Sequence, residues 1–587
     1  MKKVIAYLLC YLIIFQPVVF AANLYVDPFV GSHSDETWSG TNGESYTSTA
    51  AGFPGDGTGY GTVRAALLAM ASGDDIYARG GAYGNAQLGS GTYNTLYLSD
   101  GEPGISDNYS SIQSFPGEWA ILDGENNTYN GGRSLGIVAA SNDGFDVASL
   151  YWRIERLEFK NGGSSDSRAA AAGLSVSFGP VIIRYCYIHD NKATGGGDNP
   201  AGLCAYILQD SVIEYNLFHD NGADITTSHN ACHIEFFSEY GTQRQIVAKD
   251  GFAAYANAYN VQRNEVRYNY FNTGTVGITT KGNQLFTSRS QDAGDPGWSD
   301  TYQDRGNKYH HNIFSGMAIA GILSKDDFNQ IHNNIADDCT SGIRLGTEGR
   351  MYKQVVYNNT VIGNALDEDS FHAAIGSVSA AENPDYDITS PENSLHAYFY
   401  NNIIDSGADF SSLCEFSIGR ELAAQYIASM DYSTVDIKAL YSYRGDDAEI
   451  ISIYEPSHRA DRYTIAQWNA IYSTDTVYAN AYDAENLLFQ GSTGADKYRV
   501  RSAHTIATGV TAGAGGRGGN HPYLSGVTIP AYIGAANPAD DAWVAQVLAM
   551  DSTVFTAKSS QGDAAYNESW IEGATHRSMG AKPGLLP

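Results

Sequence analysis

Basic side chains are scarce in this chain of 587 residues. It has 35 lysines and arginines against 65 aspartates and glutamates, which gives a formal net charge of −30. Duplex nucleic acid is bound through a basic surface, so this balance argues against a nucleic-acid partner. Charged residues make up 17% of the chain and hydrophobic residues 43%. This composition is typical of a globular protein and excludes a disordered or collagen-like chain.

Proline and cysteine are also few. The chain has 16 prolines and 6 cysteines, whereas it has 63 glycines and 41 tyrosines. A long coiled coil or a helical solenoid would be rich in alanine, leucine, glutamate and lysine, so the composition disfavours both. The cysteines after Cys10 are too widely spaced for a disulfide framework or a zinc knuckle and are predicted to be buried thiols: Cys186, Cys204, Cys232, Cys339 and Cys414.

The first 22 residues have the pattern of a secretory signal peptide. Lys2 and Lys3 precede an apolar run that ends at Phe20 and is followed by two alanines. Gln16 and Pro17 interrupt that run, which favours cleavage over an uncleaved membrane anchor. No later stretch is apolar enough to span a bilayer. The sequence therefore predicts a signal peptide over residues 1–22 and a secreted or periplasmic protein with no membrane contact after cleavage.

Six short segments in the middle of the chain share an asparagine and alternating apolar residues. They are Tyr215–Phe218, Tyr268–Phe271, His311–Phe314, Asn333–Ile335, Asn358–Val361 and Asn401–Ile404. Asn312 and Asn334 are 22 residues apart, and Asn334 and Asn359 are 25 apart. Such spacings suit one coil of a β-solenoid, in which stacked coils place the same position about 4.8 Å above itself. There an amide can donate to one neighbouring coil and accept from the other.

A second strand-like segment follows each asparagine segment. These segments are Gly173–Ser177, Gly202–Tyr206, Ala231–Glu235, Gly277–Lys281, Gly321–Lys325 and Gly342–Gly346. Side chains alternate across a strand, so a register with Cys232, Ile278, Ile322 and Ile343 inward predicts two outward columns. One column reads Ser175, Cys204, His233, Thr279, Leu323 and Arg344, and the other reads Ser177, Tyr206, Glu235, Lys281, Lys325 and Gly346.

With these repeats the chain resembles the right-handed parallel β-helix proteins of the pectate-lyase-like superfamily. Its opening is similar to theirs as well, with Leu24–Asp27 as a first strand and Thr62–Leu68 as an amphipathic capping helix. The resemblance implies an all-β fold, a right-handed parallel β-helix with an N-terminal capping helix, over residues 23–430. Residues 431–587 are expected to be an irregular continuation packed on the β-helix, with a small separate domain as the alternative.

Three successive coils of the predicted outward columns carry Lys281, Lys325 and Arg344. The longest insertions, residues 236–263 and 284–306, flank these coils and would border a groove. β-Elimination of an acidic polysaccharide needs a cation for the uronate carboxylate, a base and a proton donor. Stacked lysines repel each other's charge, which lowers the pKa of at least one of them. Lys281 is therefore predicted to act as the base in its neutral form. Lys325 and Arg344 would hold the carboxylate, Arg344 through its bidentate fork.

The remaining roles are assigned by position. His233 and Tyr206, near the lysines in the predicted columns, are predicted to be proton donors. Glu235 and Asp224 are predicted to bind calcium, which would relieve the attraction between Glu235 and the ammonium form of Lys281. The family-nine pectate lyases resemble this plan, since they use a lysine base beside a calcium site, although their aspartate cluster is not reproduced here.

Aromatic residues in the inserted loops complete the predicted site. Trp298, Tyr302 and Tyr240 would stack on sugar rings, with holding the loops in place as the alternative. The predicted function is that of a secreted, monomeric lyase acting on an acidic polysaccharide. Two other functions stay open. One is an inverting glycoside hydrolase on the same fold, in which Asp326 and Asp327 work with Glu235. The other is a noncatalytic carbohydrate-binding surface protein.

Overall fold

The computed structural model describes most of the middle of the chain and shorter segments towards its end. The described residues are 22–29, 32–50, 53–88, 95–98, 109–125, 134–139, 151–164, 171–193, 200–222, 231–237, 260–281, 304–345, 354–362, 375–377, 397–405, 416–419, 435–442, 451–454, 462–464, 466–467, 470, 476–479, 489–490, 492–499, 519–520, 528–529, 534–536 and 541–550. Of the predicted signal peptide only Ala22 is among them. No helix among all the described residues is long and apolar enough to cross a membrane.

Most of the strands pair in parallel, each with the strand at the same position of the next coil, so that they form three faces. Face 1 contains Gly57–Tyr60, Asn23–Val26, Asp75–Ala78, Ser110–Ser114, Trp152–Glu155, Val181–Arg184, Val212–Glu214, Glu265–Arg267, Lys308–His310, Gln330–His332 and Gln354–Tyr357. Face 2 contains Gly81–Tyr83, Ala120–Asp123, Leu157–Lys160, Tyr187–His189, Leu217–His219, Ile335–Asp337, Thr360–Ile362 and Thr476–Ala479. Face 3 contains Thr95–Leu98, Leu135–Ala139, Ala171–Ser177, Pro200–Tyr206, Cys232–Phe237, Ile343–Leu345, Ile375–Ser377, Phe416–Gly419 and Ile451–Tyr454.

Four longer strands turn a corner and serve two faces. Tyr270–Lys281 and Ile313–Ser324 run from face 2 into face 3, and Ala397–Asp405 and Val435–Ser442 run from face 1 into face 2. The protein is a right-handed parallel β-helix, and the fold prediction is confirmed. Pairing continues beyond residue 430, since Val435–Ser442 pairs with both Ala397–Asp405 and Thr476–Ala479.

The remaining elements are short. Glu36–Thr37 and Glu44–Ser48 form an antiparallel pair near the start of the chain, and Arg462–Tyr463 is antiparallel to Ile451–Tyr454. Gly163–Ser164 pairs with Lys192–Ala193, and Gly519–Asn520 pairs with Thr528–Ile529. The helical elements are Val63–Ala69, Asn85–Leu88, Ala542–Leu548 and the single 3₁₀ turn Gly494–Lys497.

The predicted capping helix is present at Val63–Ala69. Thr62 is its N-cap, since its hydroxyl accepts a hydrogen bond from the backbone N–H of Ala65 at 3.1 Å. Val63, Ala66 and Leu67 are buried and join the interior cluster of the coils. The helix therefore covers the first coil, whose apolar interior would otherwise meet water.

The interior of the coils combines stacked apolar side chains with a polar ladder. Leu174, Leu203, Ile234, Ile278, Ile322 and Ile343 stack at one position of face 3, and each is at most 1% exposed. A column that we call the asparagine ladder runs along the corner between faces 1 and 2. Its members are Asn216, Asn269, Asn312, Asn334, Asn359 and Asn402.

An amide in the middle of the asparagine ladder joins three coils. Oδ1 of Asn312 accepts from the backbone N–H of Asn269 at 3.1 Å and from its Nδ2 at 3.0 Å. Nδ2 of Asn312 donates to Oδ1 of Asn334 at 3.1 Å and to the backbone oxygen of Val266 at 2.9 Å. The predicted role of the repeated asparagine is therefore confirmed. Its amide forms hydrogen bonds with buried backbone groups and with the asparagines of the neighbouring coils.

Two further observations complete the fold. The four described cysteines, Cys186, Cys204, Cys232 and Cys339, are buried free thiols. Residues near the C-terminus pack on the outer side of face 2, where Trp543, Val544 and Val547 join a cluster with Leu217, Ile313 and Ile335. Asp337 on face 2 accepts hydrogen bonds from Tyr498 Oη at 2.7 Å and Lys497 Nζ at 2.5 Å.

Candidate functional site

The outer side of face 3 carries most of the residues that the sequence singles out. Cα pairing places six residues opposite one another on successive coils, which we call the outer column: Ser175, Cys204, Glu235, Thr279, Leu323 and Arg344. Two residues further along the strands lies a second set, the lysine column: Ser177, Tyr206, Phe237 and Lys281. Lys325 follows Ser324, which pairs with Thr280, and so continues the lysine column on the next coil.

The predicted register is wrong on one coil. The sequence prediction placed His233 beside Thr279 and Glu235 beside Lys281. In the structure Glu235 pairs with Thr279, and Phe237 pairs with Lys281. The whole segment is therefore displaced by two residues from the predicted alignment, and Ile234, not Cys232, is the inward residue opposite Ile278.

The cause of the displacement is that His233 stands where the neighbouring coils have glycine. Gly202 precedes Leu203 as His233 precedes Ile234, and the latter two residues are paired. A Cβ atom on Gly202 would lie 2.8 Å from Nδ2 of Asn221, so this glycine leaves room for the amide. The repeated glycine is therefore missing from this coil, and the apolar pattern alone gave the wrong register.

His233 lies in the interior of the β-helix. Its side chain is fully buried, and its Nδ1 accepts a hydrogen bond from Nδ2 of Asn221 at 2.9 Å. Its ring centroid is 6.0 Å from that of Phe218 and 5.8 Å from that of Phe271, two members of the interior stack. The register prediction that put His233 on the outer face is wrong, and His233 is not carried forward as a proton donor.

The burial of His233 has a consequence for stability. Burial, and then the positive charge of His219, lower the pKa of His233 to about 3, whereas histidine in an unfolded chain titrates near 6.5. The unfolded chain therefore binds more protons between these pH values. We expect this histidine to contribute a loss of stability of about 1 kcal/mol per pH unit as the pH falls from about 6.5 towards 3.

The variant His233→Gly tests this expectation, because it carries the glycine of the neighbouring coils. Urea unfolding between pH 7 and pH 4 should show a shallower pH dependence for the variant than for the natural chain. Equal slopes would contradict the assignment, whatever the difference in stability at neutral pH.

Two cations lie on adjacent coils at the outer side of face 3. Arg344 is opposite Leu323, and Lys325 lies two residues beyond Leu323 in the chain. The side chains of both are 5% exposed. The backbone N–H of Lys325 donates to Oγ1 of Thr280 at 3.0 Å, which fixes the point where this residue leaves the strand. Burial makes both cations act strongly on an anion, because little water screens their charge.

Glu235 occupies the outer column between Cys204 and Thr279 and is 4% exposed. Calcium takes six to eight oxygen ligands. Among the described residues, the groups whose ligand atoms converge do not include Glu235, and Asp224 lies outside those residues. The described residues do not make up a calcium site here, so calcium binding stays a prediction.

Asp326 and Asp327, the carboxyl pair of the alternative hydrolase, are both buried. Asp326 is fully buried, and its charge is one cause, after burial, of a pKa of Tyr309 well above the usual range. Tyr309 belongs to the interior cluster of the coils. The hydrolase stays an alternative prediction.

Several predicted residues cannot be placed in the same detail. Trp298, Tyr302 and Tyr240 lie outside the described residues, as does the side chain of Lys281, whose backbone belongs to face 3. Tyr206 is half-buried in the lysine column, with its ring centroid 5.6 Å from that of Phe237. The assignments of these residues stay predictions.

Sequence reasoning missed a cluster of three histidines that could bind a metal ion. His310 and His332 pair on adjacent coils of face 1, and His311 follows His310 at the corner. Their spacing of 22 residues is the same as that of Asn312 and Asn334, so the coil repeat itself would have brought the two histidines together.

The comparisons with known proteins give a similarity of fold. No protein-family model and no curated protein matches the chain. Among solved structures it is similar to a family 6 polysaccharide lyase from Pseudopedobacter saltans, with 13% identity, 71% of this chain and 89% of the other covered, and a TM-score of 0.37. It is also similar to a pectate lyase, with 13% identity, 72% of this chain and 80% of the other covered, and a TM-score of 0.37. A third similar structure is a family 28 exopolygalacturonase of Yersinia enterocolitica, with 12% identity, 69% of this chain and 77% of the other covered, and a TM-score of 0.36.

Proposed function

We propose that this protein is an exported carbohydrate-active enzyme that cleaves a uronic-acid-containing polysaccharide by β-elimination on the outer side of face 3. The observation that carries the proposal is the placement of two buried cations, Lys325 and Arg344, on adjacent coils of one face. Lys281 belongs to the same lysine column, one coil before Lys325. A chain of net charge −30 thus gathers basic residues at one place, where a sugar acid would meet them.

Each group has a defined part in the elimination. Arg344 and Lys325 neutralise the uronate carboxylate, so that charge can develop at C5 when its proton leaves. Lys281 as a neutral amine takes that proton. The C4–O bond then breaks as the C4–C5 double bond forms, and the leaving oxygen needs a proton.

Tyr206 is the remaining candidate for that proton. It stands in the lysine column two coils before Lys281, with Phe237 between them. Two coil steps correspond to about 10 Å between Cα atoms, a span that the two long side chains can bridge around one sugar. No step is assigned to calcium.

The deciding experiment is incubation of the mature protein with alginate, pectate and glycosaminoglycans. A lyase produces an unsaturated uronate, seen as a rise in ultraviolet absorbance together with new reducing ends. A hydrolase produces reducing ends without that absorbance, and a binding protein produces neither. Either of the last two results would overturn the proposal.

Arg344 tests the binding half of the site. Arg344→Lys keeps the charge but loses the two-pronged hydrogen bonding, so we expect KM to rise about tenfold, the equivalent of about 1.4 kcal/mol. Arg344→Ala should raise it further. Lys192→Ala is the matched control, because that side chain is 44% exposed and pairs with Asp190. Wild-type KM in Arg344→Ala would remove Arg344 from the site.

A further inference from the structure

Three histidines converge at the corner between faces 1 and 2, far along the coil from the outer side of face 3. His310, His311 and His332 each offer a ring nitrogen, and these atoms all lie within 4.8 Å of one another. The closest pair is Nδ1 of His310 and Nδ1 of His311, which are 2.7 Å apart. The rings of His310 and His332 are stacked with centroids 4.7 Å apart, and the ring of His311 is nearly perpendicular to both.

Hydrogen bonds outside the cluster orient two of the rings. Nε2 of His310 lies 2.7 Å from Oε1 of Glu265. A glutamate carboxylate can only accept a hydrogen bond, so this nitrogen of His310 is the donor. His310 therefore carries its proton on Nε2 and has its lone pair on Nδ1, the atom that faces His311.

His332 is oriented in the same manner. Its Nδ1 donates to Oδ1 of Asn333 at 2.9 Å, and Nδ2 of Asn333 donates in turn to the backbone oxygen of Ala535 at 3.1 Å. His332 then has its lone pair on Nε2. A ligand histidine whose other nitrogen donates to a carboxylate or an amide oxygen is the usual arrangement around a protein-bound metal.

The positive charge nearest the cluster is compensated. The guanidinium of Arg267 donates to Glu214 at 2.8 Å and to Glu265 at 2.9 Å. Metal binding uses the neutral form of each histidine ring.

From this arrangement we propose that His310, His311 and His332 bind one divalent transition metal ion of the zinc class. Nitrogen ligands of a tetrahedral zinc ion are about 3.3 Å apart, since each bond is about 2.0 Å long. The Nδ1 atoms of His310 and His311 are closer than that, at 2.7 Å, so a modest ring rotation would close the site. Three protein ligands leave the fourth position open to water or another small ligand.

The site would also couple the coils to the residues near the C-terminus. The ring of Trp543 lies 5.1 Å from that of His311, and Asn333 links His332 to Ala535. A metal ion held by the three histidines would therefore fix two coils and the C-terminal contact together.

The test is a zinc titration of the mature full-length chain purified without a polyhistidine tag, read by competition with a chromophoric chelator. We expect one equivalent per chain and a rise of the melting temperature with zinc. Cobalt in place of zinc should give the visible spectrum of a four-coordinate ion. Substoichiometric binding by the natural chain, or a six-coordinate cobalt spectrum, would overturn the proposal.

The variants separate ligation from folding. The double variant His311→Ala and His332→Ala should lose the bound equivalent, whereas His219→Ala, outside the cluster, should keep it. Glu265→Gln leaves all three ligands in place and should weaken zinc binding by about 10–100-fold through the lost orientation of His310. Unchanged affinity in both the double variant and Glu265→Gln would show that zinc binds elsewhere.

Discussion

Replacing Lys281 with alanine is expected to lower kcat on the acidic polysaccharide by about 10²–10⁴-fold, the range that a lost general base produces. Its backbone pairs with Phe237 on one side, and Lys325 takes the same position on the next coil. The backbone positions of Lys281 and Lys325 are therefore one coil apart, about 4.8 Å along the stack. In the proposed mechanism Lys281 takes the acidic proton of the sugar whose carboxylate Lys325 and Arg344 hold.

The variant Lys281→Arg makes the expectation specific. Arginine keeps the positive charge but does not give up its proton at ordinary pH, so it should bind substrate and still fail to turn it over. Steady-state kinetics should show a fall in kcat with KM close to the natural value. Circular dichroism of both variants and the activity of Lys192→Ala control for misfolding. Full activity in Lys281→Arg would show that Lys281 is not the base.

The second large effect is expected in the asparagine ladder. Asn312→Ala removes the acceptor of two donors on the preceding coil, the backbone N–H and the amide of Asn269. It also removes the donors to Asn334 and Val266. Each buried polar group left without a partner costs about 1–3 kcal/mol. We therefore expect the free energy of unfolding to fall by about 3–5 kcal/mol.

Guanidinium unfolding of Asn312→Ala and of a control measures this loss. Asn272→Ala is the control, because Asn272 lies on the preceding coil in an exposed hydrogen bond with Thr273. A surface change of this kind should alter stability by no more than about 0.5 kcal/mol. A loss of the same size in both variants would show that the ladder adds no stability beyond that of ordinary polar residues.

The sequence predicted the coils well because their repeat has a physical cause that residue types reveal. The asparagine amide can accept from one coil and donate to the next while buried at the corner, so Asn312 and Asn334 marked the coil length directly. The capping helix was equally predictable, since Thr62 is a common N-cap and Val63, Ala66 and Leu67 share one helical face.

The candidate site was predicted less well, because a strand's side chains change faces with a shift of one residue and change neighbours with a shift of two. Ala231–Glu235 matches the apolar pattern of the other coils, yet the true alignment has His233 in the place of a glycine. Nothing in the local pattern shows that an imidazole fills the interior space opposite Asn221. The histidine cluster was missed for a different reason, since His310, His311 and His332 come together only once the coils are stacked.

The asparagine ladder has a direction, because every amide oxygen points back towards the preceding coil. At its first rung Oδ1 of Asn216 accepts from the backbone N–H of Cys186, a group that any residue except proline supplies. At its last rung Oδ1 of Asn402 accepts from both the backbone N–H and Nδ2 of Asn359. A shortened solenoid could thus begin at almost any residue, but it would have to end on one that offers an acceptor, since orphaned N–H groups are tolerated less well than orphaned oxygens.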